Sequence, residues 1–174
     1  QETLAGHVDI SRPLQPGSHV NWISWSDTEQ PSPEKAVALT LYFAEPSSMY
    51  LVPVTRLVPK TQAVARAVVE ELIRGPEKES GLSPVLPAGT RCLGVKLDKG
   101  TLTVDFSREL RDNHSGGSTG EALTISGIVH SLTALPGVEQ VQILIEGKTG
   151  ESIGGHVVLS EPLRAQYLNL LPEF

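Results

Sequence analysis

The stretch TRCLGVKLDKGTLTVDFS, residues 90–107, decides the fold. It reads as two strands, Thr90 to Leu97 and Thr101 to Phe106, joined through Asp98, Lys99 and Gly100. The Lys-Gly tip suits a tight hairpin turn. In the second arm Leu102, Val104 and Phe106 fall on one face, and Thr101, Thr103 and Asp105 on the other. A short turn over Ser107 to Leu110 follows.

Upstream of the hairpin, Val37 to Phe43 is a continuous apolar and β-branched run, which reads as a buried strand. Glu45, Pro46, Ser47 and Ser48 break it, and Tyr50 to Val58 forms a second extended segment with Pro53 favouring an edge. Thr61 is placed to cap a helix reaching Ile73, with Val64, Ala67, Val68 and Leu72 on one face. Gly75 and Pro76 end that helix. Downstream, Ser118 and Glu121 stand in the S-x-x-E spacing of a capping box, opening a helix to about Ala134. Pro136 and Gly137 stop it, Val138 to Ile145 reads as another strand, and Val157 to Leu171 as a short strand or a helical turn. The order β, β, α, β, β, α, β mixes a hairpin with helical crossovers. It predicts an α+β fold: a mixed β-sheet with two helices packed on one face.

The chain has 174 residues, enough for one domain with tails. Aromatics are 5%, so aliphatic side chains must build the core. A net charge of -6 argues against nucleic-acid binding and against docking on anionic lipid through a basic patch. No apolar run is long enough to span a bilayer. A start at Gln1 rather than Met fits a processed chain. Residues 1–35 hold four prolines and little periodicity, so they read as an arm or linker. Trp22 and Trp25 lie in this arm. Two indoles are costly to leave in water, so the arm is expected to pack on the domain itself or, alternatively, on another protein. The domain proper spans residues 36–151, and 152–174 is an extension expected to pack on it through Leu163, Tyr167, Leu168 and Leu170.

The search for chemistry singles out few residues. The single cysteine, Cys92, reads as a small side chain packed in a strand. None of His7, His19, His114, His130 and His156 stands in a metal-binding spacing. His114 lies beside Asp112, and a hydrolase would use it with Asp112 or Glu121; loop and surface roles are the simpler reading. The glycine loop before Glu121 lacks the Lys-Ser/Thr of a phosphate-binding loop. The sequence therefore assigns no catalytic, cofactor-binding or metal-ligating residue.

Six blocks in order carry a resemblance. They are Leu41-Tyr42-Phe43; Leu51-Val52-Pro53-Val54-Thr55-Arg56; the helix from Ala63 to Ile73 closed by Arg74-Gly75-Pro76; Leu86-Pro87-Ala88-Gly89-Thr90; Gly100-Thr101-Leu102-Thr103-Val104-Asp105-Phe106-Ser107; and Glu121 to Thr133 followed by Val138 to Gly147. Together they resemble the GerMN domain of sporulation and spore germination proteins, over roughly residues 36–151. The resemblance implies a fold like the ring-building motif of secretion-system proteins. It also implies a non-catalytic role in assembling an extracytoplasmic complex with other envelope proteins, in a protein anchored to the membrane or carried as a lipoprotein. No cofactor is implied, and an oligomer is compatible with it. The alternative is a module binding a small ligand or cell-wall glycan, in a groove lined by Trp22, Trp25 and Tyr50.

Overall fold

The computed structural model describes residues 35–150 and 152–165, together with the backbone of two two-residue strands. Those are β1 (Thr3–Leu4) and β2 (Val8–Asp9), which pair antiparallel. The rest of the arm, with Trp22 and Trp25, and the C-terminal anchors Tyr167, Leu168 and Leu170 lie outside the described residues.

The apolar run after Lys35 forms β3 (Ala36–Ala44), which pairs antiparallel with β4 (Leu51–Pro59). Leu39, Leu41 and Phe43 face inward, opposite Arg56, Val54 and Val52. Helix α1 (Val64–Arg74) follows, burying Val68, Val69 and Leu72. Thr61 does not cap it: its hydroxyl accepts the N–H of Ala63, and the helix opens after Ala63 with no side-chain cap. At the other end, Gly75 sits at φ 85°, a conformation that favours glycine, and its N–H reaches the carbonyls of Glu71 and Leu72.

The hairpin of residues 90–107 is as the sequence predicts. Strands β5 (Cys92–Asp98) and β6 (Thr101–Phe106) join through Lys99 and Gly100, whose φ values of 46° and 80° define the mirror-image turn that matches strand twist. Leu102, Val104 and Phe106 are fully buried. A four-residue helix, α2 (Glu109–Asp112), occupies the expected turn. The long helix α3 (Ser118–Thr133) then returns the chain so that β7 (Gln140–Ile145) lies parallel to β6. Besides the β1–β2 pair, the strands form two hydrogen-bonded units, the β3–β4 hairpin and the mixed β5–β6–β7 sheet. Helices α1 and α3 touch each other; α1 packs on β3 and β5, and α3 on β3 and β7. The anticipated α+β class, with a mixed sheet and two packed helices, holds.

Helix α3 is buried nearly all round, so its polar groups need internal partners. Thr124 donates its hydroxyl to the carbonyl of Val85 at 2.7 Å. Ser131 donates to the Gly127 carbonyl at 2.7 Å and accepts the Tyr42 N–H of β3 at 2.9 Å. Gly127 meets the loop carrying Val85 so closely that a Cβ there would lie 2.9 Å from a Val85 methyl.

Arg56 brings a charge into the core. Arg56, 2% exposed, donates to the Glu71 carboxylate at 2.7 Å and to the Gly75 carbonyl at 2.8 Å, with Glu77 at 3.8 Å. Its guanidinium also lies 5.7 Å from the Phe43 ring centre. The side chain therefore ties β4 to the last turn of α1. Replacing Arg56 with Ala leaves the Glu71 carboxylate only Arg74, at 3.7 Å, and takes from the Gly75 carbonyl its side-chain donor. The expected loss is about 3 kcal/mol, read as a lower urea midpoint at unchanged slope.

Candidate functional site

The densest polar cluster forms around Glu121, in the first turn of α3. Its carboxylate is fully buried. The Ser152 hydroxyl donates to Oε1 at 2.7 Å, the Ile153 N–H reaches Oε1 at 3.2 Å, and the His156 N–H reaches Oε2 at 2.9 Å. The His156 ring Nδ1 lies 3.1 Å from Oε2. Burial works to raise the pKa of this carboxyl, but donors at Gly154, Ser152, His156 and Val157 outweigh it and lower it from 4.5 to about 2. The capping box read from the sequence is therefore not formed. Gly117 precedes the helix with no side-chain cap, and Glu121 turns away to hold the loop of residues 152–156. A local capping bond would satisfy one donor, whereas the distant loop offers several.

Ser, His and Glu side chains meet here in an order unsuited to nucleophilic catalysis. A nucleophile must hydrogen-bond to the base, and the acid must orient that base from its far side. Here the carboxylate is central, and both Ser152 and His156 turn to it. The cluster is an anchor that closes residues 152–156 over the start of α3.

The other candidates lie apart. His114 accepts the Gly116 N–H on Nδ1 at 3.0 Å, and its Nε2 lies 3.2 Å from the Thr124 hydroxyl. Because that hydroxyl already donates to Val85, the network assigns the ring proton to Nε2. Asp112 pairs with Arg111 instead, and Glu121 faces residues 152–156. The hydrolase arrangement of His114 with Asp112 or Glu121 is not assembled. The His130 and Tyr42 rings lie 5.3 Å apart, tilted by 44°. The Cys92 thiol is pushed up in pKa by burial, against an opposing pull from Arg66. Asp105, on the face opposite Leu102, Val104 and Phe106, is half-buried and accepts the Gly147 N–H at 2.9 Å. Ser107 accepts the Arg91 N–H at 3.0 Å, so both residues bond backbone where the strand ends. Among the described residues no group of three or more His, Cys, Asp or Glu could hold a metal ion.

An apolar groove lies elsewhere on the domain. It has a volume of about 650 Å³ and runs between the outer edge of β3, the start of α1, the end of α3 and the helix-facing side of β5. Ala38, Thr40, Ala63, Val95, Leu97 and Leu135 line it. Leu97 is 50% exposed although it shares the face of buried Leu102, its cross-strand partner. Beyond the groove, Leu93 is also exposed on β5, whose outer edge has no strand partner among the described residues. Tyr50 sits in the β3–β4 turn and not in the groove. No part of this was legible in local motifs, because four distant segments make the groove.

An α+β domain with a closed polar anchor and an open apolar groove is the class that these features define. The family model described as Germane, sporulation and spore germination, matches residues 40–151. The chain belongs to that family. A curated relative, the spore germination protein GerM of Bacillus subtilis, is 30% identical over 118 residues, 64% of this chain and 32% of the relative. The chain thus spans about a third of that relative's length. The tandem GerMN domains of B. subtilis GerM superpose with a TM-score of 0.68 at 25% identity, covering 82% of this chain and 50% of that one. The first GerMN domain alone gives a TM-score of 0.63 at 28% identity, covering 74% and 97%.

The Glu121 anchor has a pH signature. A folded pKa of about 2 lies below the ordinary 4.5, so the folded state binds that proton more weakly. Its stabilisation is complete above about pH 4.5 and is lost as pH falls toward 2. Glu121→Gln is expected to cost about 2–3 kcal/mol at neutral pH. Denaturant titrations at a series of pH values should show the wild-type excess shrinking only in the acid window.

Proposed function

We propose that this chain is a non-catalytic protein-interaction module of the cell envelope. It would contribute to assembly of an extracytoplasmic complex, in a protein held at the membrane by an anchor or a lipid. Membership of the sporulation and spore germination family supports the setting. A structural neighbour from Clostridium perfringens, provisionally described as a lipoprotein, is in keeping with the location. The observation that carries the reading is the outer edge of β5, with no strand partner among the described residues and with Leu93 45% exposed. An unpaired edge beside an exposed leucine offers a partner both backbone hydrogen bonds and apolar area. The ionisable clusters, in contrast, are spent on internal contacts.

Site-directed photocrosslinking tests this. A photoreactive side chain at Leu93 of the full-length protein should give discrete protein adducts in envelope fractions. The same group at exposed Glu161 should not. His114→Ala should leave the adduct pattern unchanged. Equal labelling at both positions, or none at either, would count against the edge as a docking surface. Retention on purified cell-wall glycan without protein adducts would favour the glycan-binding alternative.

A further inference from the structure

The groove opens where the described chain begins. Lys35 leads directly into β3, and its carbonyl accepts the Lys60 N–H at 2.8 Å. Val37, Ala38 and Thr40, the next residues, line the groove along the outer edge of β3. Ala44 and Tyr42, farther along that edge, are already engaged by Ser83 and Ser131. The described chain therefore begins beside an apolar cavity that the described residues leave unfilled.

That segment carries the chain's only tryptophans, Trp22 and Trp25. Ten positions separate Trp25 from Lys35, a reach of roughly 33 Å when extended, so the tether does not limit access. The cavity, at about 650 Å³, is in the range that accepts a drug-sized apolar group, roughly 300–1,000 Å³. An indole brings about 150–250 Å² of surface that gains by leaving water.

We propose that the groove between the edge of β3, the start of α1 and Leu97 of β5 is the seat of the chain's own N-terminal arm. Trp22 or Trp25 supplies the inserted side chain. The arm is then an integral wall of the domain, covering Leu97 and Leu135. This goes beyond the interaction reading above, which uses Leu93, a residue that does not line the groove.

Tryptophan fluorescence of the whole chain reports only on the arm. The native protein should emit to the blue of its urea-unfolded form and resist acrylamide quenching several-fold better. Leu97→Asp and, separately, Ala38→Glu change exposed groove residues that the core does not need. Each should shift emission toward the unfolded value and restore quenching, while the far-UV circular dichroism melt stays within a few degrees of wild type. Emission should be unchanged on roughly hundred-fold dilution, because a tethered arm does not dissociate. Solvent-like emission in the native protein would overturn the proposal. So would blue-shifted emission that both groove variants leave untouched. A red shift on dilution would overturn it too, by assigning the groove to the arm of a second copy.

Discussion

The buried guanidinium of Arg56 is the constraint around which the first half of the domain is arranged. A cation removed from water must find its hydrogen bonds inside the protein. Arg56 stands on the inward face of β4, directly across from Leu39, where the strand pattern calls for an aliphatic residue. Its partners are the Glu71 carboxylate and the Gly75 carbonyl, both at the C-terminal end of α1. Positive charge is favourable there, since the last turn of a helix presents unpaired carbonyls. The helix must therefore end over β4, and Gly75 must turn the chain at positive φ for its carbonyl to reach the guanidinium. Strand, helix and corner are fixed by one side chain.

Helix α3 does the same for the second half by a different route. It is buried on nearly every side, so hydrophobicity alone gives it no preferred orientation. Specific contacts supply one. Gly127 allows the Val85 loop to approach within side-chain contact, Thr124 bonds that loop's backbone, and Ser131 bonds the edge of β3. Glu121 then fastens residues 152–156. Thr124 and Ser131 use short hydroxyls, and Glu121 its carboxylate, to satisfy backbone groups on neighbouring segments.

How much of this the sequence showed depends on distance along the chain. The 90–107 hairpin was legible because period-two alternation and the Lys-Gly tip are local and agree with each other. The Gly75-Pro76 stop was legible for the same reason. Arg56 could be seen as a charge within an apolar strand, but its partners, fifteen and nineteen residues on, could not. Glu121 misled because S-x-x-E is a good local signal. Its carboxylate found donors more than thirty residues away, which local capping cannot match. The groove had no signature at all, since no two of its walls are adjacent in sequence.

These two buried charges also bear on what the domain does. Acid–base chemistry requires an ionisable group that a substrate can approach and whose proton moves near the working pH. Glu121 meets neither condition: it is enclosed, and its donors hold it ionised far below neutrality. Ser152, the nearest hydroxyl, is committed as a donor to it and has no base drawing off its proton. The accessible surface also offers a strand edge with exposed leucine and no strand partner among the described residues, and an apolar groove beside the start of β3. A closed polar anchor beside an exposed leucine and an apolar groove is the pattern that the proposed interaction role would use.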